Sequence, residues 1–143
     1  MKRKAQRLLI LIAVAAVAAS ALYFTPKTFL RGVDPDEVSR IDVFDGNTGV
    51  AFSVRQPEEV RSIVENIQSI PMRRDGISLG YMGYSFRLRF LDEDGRKLVR
   101  GFILNGEGVI RQDPFFYRSD GGLCWESLRT IEENGEAAVL QSP

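Results

Sequence analysis

The chain has 143 residues, no histidine and one cysteine, and its nineteen basic side chains balance its nineteen acidic ones. The lack of histidine excludes a Ser-His-Asp or Cys-His catalytic device, and a single cysteine excludes an intrachain disulfide. All nineteen acids lie at or after Asp34, so residues 32–143 carry nineteen acids against thirteen bases. An acidic domain without a basic stripe is not expected to bind nucleic acid.

The N-terminal segment predicts a membrane anchor or a signal peptide. Leu8 to Phe24 is an unbroken run of 17 apolar or small residues, preceded by four bases and no acid. As a helix it would reach about 26 Å, slightly short of a hydrocarbon core of about 30 Å. The small residues Ala18 to Ala21 suit a signal peptidase, but the apolar run continues past them, which favours retention.

Both alternatives place the following domain outside the cytoplasm, because the basic flank stays inside. The third alternative, a buried helix of a soluble protein, would require a polar face that this run lacks. No cysteine lies directly after the run, which excludes a lipid-attached form. We therefore divide the chain into an anchor or signal peptide (1–25), a spacer (26–35), an extracytoplasmic domain (36–135) and a tail (136–143).

The domain opens with a hairpin and a helix. Alternating apolar residues predict strands over Ser39–Asp45 and Val50–Val54, joined by a Gly-Asn-Thr-Gly turn. A helix is predicted over Pro57–Ile70, with proline in its first turn and Pro71 ending it. Its apolar stripe, which should face a sheet, has the spacing of one helical face: Val60, Ile63, Val64, Ile67 and Ile70.

A central hairpin over Tyr84–Leu104 carries the densest large apolar side chains. Its period-2 alternation predicts one buried and one wet face, with Arg87 and Arg89 on the wet face. The turn Asp92-Glu93-Asp94-Gly95 sets a register with three predicted pairs: Phe90 with Leu98, Phe86 with Phe102, and Tyr84 with Leu104.

That register turns Arg100 toward the core, where an unpaired guanidinium is costly. We expect Arg100 to pair with Asp113 or Glu107, the alternative being that its head reaches water past the sheet edge. The cluster Asp92–Gly95 has the carboxylates of a calcium loop but not the spacing, so it predicts a turn.

The remaining elements are shorter. Arg73–Gly83 is the least regular segment and predicts a loop. Strands are predicted over Val109–Gln112 and Phe115–Arg118, and the interruption at Asp113-Pro114 suggests a sheet edge. A closing helix should turn three residues inward, with Trp125 beside them and Asn134-Gly135 as its end: Cys124, Leu128 and Ile131.

Taken together, these elements predict an α+β fold. An N-terminal transmembrane or signal helix precedes an antiparallel sheet of about five or six strands. One long helix packs on a face of the sheet, and a short C-terminal helix closes it.

The candidate ligand-binding residues are Arg73, Arg74, Tyr81 and Tyr84, which could line a small basic, aromatic pocket for a carboxylate or a sugar. The alternative is an ordinary loop with solvated arginines. No catalytic residue, metal site or cofactor is predicted, and Cys124 is expected to be a small buried hydrophobe rather than a reactive thiol.

Several turns and aromatic strand positions resemble those of small bacterial membrane-anchored or lipid-attached proteins that carry a domain of unknown function. The resemblance covers roughly residues 36–133 and rests on Asn47-Thr48-Gly49, Gly83-Tyr84-Ser85-Phe86, Phe90-Leu91-Asp92, Asp94-Gly95 and Tyr117. It implies bacterial origin, export and one α+β domain, and it carries over no catalytic residue.

We therefore expect a membrane-tethered extracytoplasmic binding or interaction module, held by Leu8 to Phe24, with an envelope protein or a small ligand as its partner. Its location would be the cell membrane, single-pass, or the exterior after signal cleavage. Two alternatives stay open. One is a ligand or solute sensor using the Arg73 to Tyr84 loop, and the other is a hydrolase with carboxylate chemistry.

Overall fold

The computed structural model describes residues 2–135 and 138–139. It begins with helix α1, Lys2–Phe24, whose side chains from Arg3 onward are all exposed. Within it, Arg3–Phe24 contains an 18-residue window with a mean hydropathy of 2.2. The helix extends the apolar run at its N-terminal side by basic residues, which suit the head-group region rather than the hydrocarbon core. The helix is longer than the predicted run and fits a membrane span or a signal sequence.

The rest of the structure is built on one antiparallel sheet. Its strands are β1 Lys27–Thr28, β2 Arg40–Asp45, β3 Ala51–Val54, β4 Pro71–Ile77, β5 Phe86–Leu91, β6 Phe102–Leu104, β7 Val109–Gln112, β8 Phe115–Arg118 and β9 Ala138–Val139. Their order in space is β1-β4-β8-β7-β6-β5-β2-β3-β9. The predicted α+β class is confirmed, with more strands than the expected five or six.

Two helices cover one face of this sheet, and a short 3-10 helix at Pro35–Glu37 precedes β2. Helix α2, Pro57–Ser69, buries the predicted stripe except for Ile70, which caps it and is partly buried. Helix α3, Trp125–Asn134, buries Leu128 and Ile131. Both helices contribute to one core cluster with the inward side chains of the strands. Among the described residues, no helix covers the opposite face, which we call the outer face.

Strand β4 occupies residues 73–77 of the segment Arg73–Gly83 that was predicted to be a loop, so the prediction was wrong for these residues. The strand pairs with β1 and β8, and a register irregularity lies between Arg74 and Ile77, where Gly76 has φ +95°. Only Met72 in it is buried. A strand with one buried side chain has no alternating apolar pattern, so its periodicity could not be read from the residues.

The predicted spacer is packed against the domain rather than detached from it. Lys27 pairs with Met72, and Thr28 pairs with Pro71. Phe29 and its neighbour Leu30 are buried in the core. The burial of Phe29 and Leu30 shows that the packed domain begins shortly after α1.

The central hairpin has a different register from the predicted one. Lys97 bridges Leu91 close to the turn, as expected, but Phe86 then pairs with Leu104 and Leu88 with Phe102. The register therefore shifts by two residues between the turn and β6. A two-residue shift leaves every apolar side chain on its original face, so the alternating pattern cannot distinguish the two registers.

Residues 98–101 absorb this shift. A Cβ atom on Gly101 would lie 2.7 Å from the carbonyl oxygen of Leu88, so only glycine allows the chain to pass this close to β5. The irregular segment leaves Arg100 exposed, with its Nη2 atom 3.2 Å from the backbone oxygen of Asp113. The expected pairing of Arg100 with the carboxylate of Asp113 or Glu107 was wrong.

The Asp113-Pro114 pair forms the connection between β7 and β8, which lie inside the sheet between β6 and β4. The predicted edge was therefore wrong, because a proline in a turn does not have to donate to the ladder. The closing helix is confirmed, and Gly135 follows it with φ +64°. Of the predicted tail, only Ala138–Val139 lies within the described residues, paired with β3.

Candidate functional site

The outer face of the sheet carries a row of arginines. Arg87 and Arg89 alternate with the buried Leu88 along β5 and so project to this face. Arg87 lies opposite Ile103 of β6, which lies opposite Arg111 of β7. Adjacent strands are about 4.8 Å apart, which places Arg87 and Arg111 about 10 Å from each other across the sheet.

These side chains line a groove of about 430 Å³. This volume lies within the usual range for small-ligand sites, about 300–1,000 Å³. The groove has five basic residues and one acidic residue in its lining: Arg87, Arg89, Lys97, Arg100, Arg111 and Asp113. The excess of four positive charges contrasts with the acidic balance of the domain as a whole.

Arg111 and Asp113 form the rigid end of the groove. The Nε atom of Arg111 donates to Oδ1 of Asp113 at 2.9 Å, and its Nη2 atom donates to Oδ2 at 3.3 Å. Ser78 donates to the same carboxylate at 2.6 Å. The hydrogen bonds from Arg111 and then Ser78 lower the pKa of Asp113. The charges of Arg111 and Asp113 neutralise each other. The hydrogen bond from Ser78 fixes the connection that follows β4.

Two tyrosines on that connection stack with groove arginines. The guanidinium of Arg87 lies 4.7 Å from the ring centre of Tyr84, and that of Arg111 lies 5.5 Å from the ring centre of Tyr81. Gly46 makes room for Tyr84, since a Cβ atom on residue 46 would lie 2.5 Å from the backbone carbonyl oxygen of Tyr84. Stacking holds a guanidinium in place while its N–H groups stay free to donate.

Three of the basic groups have no acidic partner among the described residues. Arg87, Lys97 and Arg100 form no salt bridge within residues 2–135 and 138–139. Arg89 reaches only to 4.0 Å from Asp42, a carboxylate that accepts a hydrogen bond from Ser53 at 2.7 Å and forms a closer salt bridge with Arg40 at 3.1 Å. The groove therefore holds positive charge that the rest of the structure does not neutralise.

The structure divides the four residues predicted to bind a ligand into two pairs. Tyr81 and Tyr84 line the groove, whereas Arg73 and Arg74 on β4 line a separate cleft of about 490 Å³. Arg118, on the neighbouring strand, pairs with Asp75 in that second cleft. No single pocket of the described residues contains all four predicted residues.

Arg74 is directed to the end of α1 rather than to open solvent. Its Nη1 atom donates to the carbonyl oxygens of Leu22 at 2.6 Å and Tyr23 at 2.9 Å. Its guanidinium lies 5.8 Å from the ring centre of Tyr23 and 5.4 Å from that of Phe115. The last carbonyl groups of a helix have no partner within the helix, so Arg74 acts as a side-chain cap on α1.

Sequence reasoning missed the most important groove residues. Arg87 and Arg89 were interpreted as an ordinary wet strand face, and Lys97 and Arg111 were not considered. The Arg-x-Arg alternation on β5 was the available signal. Without the cross-strand register, it could not be connected to Arg111.

No group of three or more potential metal ligands occurs among the described residues. Burial raises the pKa of the Cys124 thiol to about 12, which keeps it protonated and unreactive. At the β5–β6 turn, the carboxylate of Asp92 accepts from the backbone N–H and the Nε atom of Arg96, as expected for a turn.

Comparison with protein-family models, with curated proteins and with solved structures found no match for this chain.

Proposed function

We propose that this protein is a membrane-tethered binding module whose domain lies outside the cytoplasm and binds an anionic ligand in the outer-face groove. The single observation that carries this proposal is the unneutralised charge of Arg87, Lys97 and Arg100 around one groove. A ligand with carboxylate, sulfate or phosphate groups would supply the missing partners. Charge-assisted hydrogen bonds of this kind contribute about 1.5–3 kcal/mol each.

The geometry favours an extended ligand with regularly spaced anionic groups. Arg87 and Arg89 are separated by about 7 Å along the strand, and the Arg111–Asp113 pair borders the groove about 10 Å across the sheet from Arg87. The Tyr81 and Tyr84 rings flank this row and could contact the apolar parts of such a ligand. An acidic peptide and an anionic glycan both have this chemistry.

The test is a binding titration on the full chain in nanodiscs of zwitterionic lipid, with a fluorescein-labelled oligo-aspartate peptide as the probe. The double variant Arg87→Gln, Lys97→Gln should bind at least about a hundredfold more weakly, at about tenfold per lost charged contact. The matched control is Arg55→Gln, Arg129→Gln, which removes the same charge from exposed positions outside the groove. Equal affinities of the two double variants would contradict the proposal.

The binding should also weaken as salt is added. Salt screens the attraction between exposed arginines and an anionic probe over a Debye length of about 8–10 Å at 0.1–0.15 M, so the affinity for the probe should fall between low and moderate salt. A salt-independent affinity would indicate that the probe binds through its apolar parts.

A second candidate function, sensing of a small anionic solute, is favoured by one chain of hydrogen bonds. Lys27, just after α1, donates to the side-chain oxygen of Gln112 at 2.6 Å. The amide nitrogen of Gln112 donates to the backbone oxygen of Arg100 at 3.4 Å. This chain of hydrogen bonds connects the groove to the first residue of β1, three positions after the end of α1.

Hydrogen exchange separates the two functions. In a sensor, the oligo-aspartate probe changes the exchange rates of amides at residues 22–28, and Gln112→Met abolishes that change without preventing binding. In a plain binding module, the exchange rates at residues 22–28 stay the same with and without the probe.

A further inference from the structure

The direction in which α1 leaves the domain follows from the pairing of β1. Because β1 is antiparallel to β4, with Lys27 opposite Met72, the chain before Lys27 runs toward the C-terminal end of β4. Two contacts agree with this direction. Arg74 donates to the carbonyl oxygens at the end of α1, and the Tyr23 ring lies 6.0 Å from the Phe115 ring. The helix therefore leaves the sheet at the end where β4 finishes and β8 begins.

The segment at that end of the sheet exposes large apolar side chains. We call residues 77–82 the apolar loop. Ile77 pairs with Phe115, the residue that Tyr23 contacts, and the amide of Ser78 donates to the oxygen of Pro114. The exposed fractions are 70% for Ile77, 68% for Leu79 and 88% for Met82. Within the described part of the domain, the other large exposed apolar side chains are only half-exposed or less.

Aromatic residues mark the same level on α1. Tyr23 and the 74% exposed Phe24 end the apolar helix, and tyrosine and other aromatic side chains favour the boundary between hydrocarbon and head groups. The apolar loop begins beside these two aromatic residues, since Ile77 pairs with Phe115 and the Phe115 ring contacts the Tyr23 ring.

We propose that the apolar loop inserts into the head-group layer of the bilayer that α1 spans, so that the domain has a second contact with the membrane surface. The inference rests on the tether part of the proposed function, namely that α1 is retained as a span. It requires no particular ligand in the groove, which Tyr81 and Met82 of the loop also line. Interfacial apolar segments lie about 5–10 Å into the boundary between head groups and acyl chains. Insertion of the loop would cover Ile77, Leu79 and Met82.

This contact would also restrict the orientation of the domain. A single helix allows the domain to tilt and rotate, whereas a helix and an adjacent inserted loop define two points on the membrane surface. Tyr81 connects the apolar loop to the groove through its stacking on Arg111 and its ring contact with Phe116 at 5.2 Å. The groove would therefore be held at a fixed distance from the bilayer.

The test uses the full chain in nanodiscs with an environment-sensitive fluorophore on one engineered cysteine. The native Cys124 does not interfere, because its thiol is buried and stays protonated. We compare Leu79→Cys in the apolar loop with Thr130→Cys, an exposed position on α3. The probe at residue 79 should emit at shorter wavelength than the control probe, and spin labels near the lipid head groups should quench it.

Each other outcome overturns a defined part of the account. A probe at residue 79 with the emission of the control, in protein that stays in the nanodisc, contradicts the insertion of the loop. A blue-shifted probe that lipid spin labels do not quench means that another protein or a second copy of the chain covers the loop. Failure of the full chain to stay in the nanodisc contradicts the tether itself, and groove binding is measured separately with the oligo-aspartate probe.

Discussion

Arg74 on β4 donates a hydrogen bond of 2.9 Å to the carbonyl oxygen of Tyr23, the residue before the last of α1. The contact joins the apolar helix to the sheet through one guanidinium, which also lies near the Tyr23 and Phe115 rings. The contact ties the end of α1 to β4, the strand from which the chain continues to Tyr81 and Tyr84 at the groove.

Arg74→Met should therefore loosen the junction. The variant keeps the apolar stem but removes the cap, and a cation at a helix C-terminus contributes about 0.3–1 kcal/mol. Hydrogen exchange at the last turn of α1 should become several-fold faster. Arg73→Met is the control, since Arg73 lies opposite Arg118 and makes no hydrogen bond to α1 among the described residues. Equal exchange in the two variants would show that Arg74 does not hold the helix.

Truncation of the α2 stripe should destabilise the domain. Ile63→Ala and Ile67→Ala remove side chains that are 2% and 0% exposed, at a cost of about 2–5 kcal/mol each. Glu65→Ala, on the exposed side, loses only a 3.4 Å surface contact with Arg61 and should cost well under 1 kcal/mol. Urea denaturation of the full chain in mild detergent measures the difference. Similar losses at positions 63 and 65 would mean that α2 presents another face to the sheet.

Gly101→Ala should be more damaging than a substitution of its neighbour. The new Cβ atom would lie 2.7 Å from the carbonyl oxygen of Leu88, so β5 and the segment before β6 must separate, at a cost of about 1–3 kcal/mol. Arg100→Ala introduces the same residue one position earlier, where the side chain is exposed, and should leave the free energy of unfolding nearly unchanged. Denaturation midpoints of the two variants provide the comparison, and equal midpoints would contradict the close approach at Gly101.

The buried thiol of Cys124 should make the domain sensitive to alkaline pH. Burial raises its pKa from 9.0 to about 12, so the folded state holds a proton that the unfolded state loses. This group therefore costs no stability below pH 9, and the free energy of unfolding falls as the pH rises from about 9 toward 12. Cys124→Ala should reduce that fall, and a disulfide reagent at pH 8 should modify the thiol only after denaturation. Rapid modification of the folded protein would contradict the burial.

The sequence predicted the elements whose apolar periodicity is set by burial. Helical spacing predicted the buried residues of α2 and α3, and period-2 alternation predicted those of β5. All three elements formed as expected. The two-residue register shift in the hairpin could not be predicted in the same way, because it preserves the face of every side chain. It depends on a backbone contact between Gly101 and Leu88, which leaves no mark on the apolar pattern.

The candidate site was harder to predict, because it depends on which strands are neighbours. Arg87 and Arg111 are 24 positions apart in the chain and share a groove only because β5, β6 and β7 are consecutive in the sheet. A net charge averages over all faces of a domain, so the acidic total concealed a basic face. Tyr81 and Tyr84 were identified from their loop, but the partners predicted for them, Arg73 and Arg74, lie in the second cleft, where Arg74 turns toward α1.

The most direct test of the central claim is nuclear magnetic resonance of the arginine side chains while the full chain in detergent is titrated with the oligo-aspartate peptide. The Nε–H signals of Arg87, Arg89 and Arg100 should shift together as the groove fills, while those of Arg73 and Arg118 in the second cleft should not move. Shifts confined to Arg73 and Arg118, or no shift at any arginine at saturating peptide, would contradict the account.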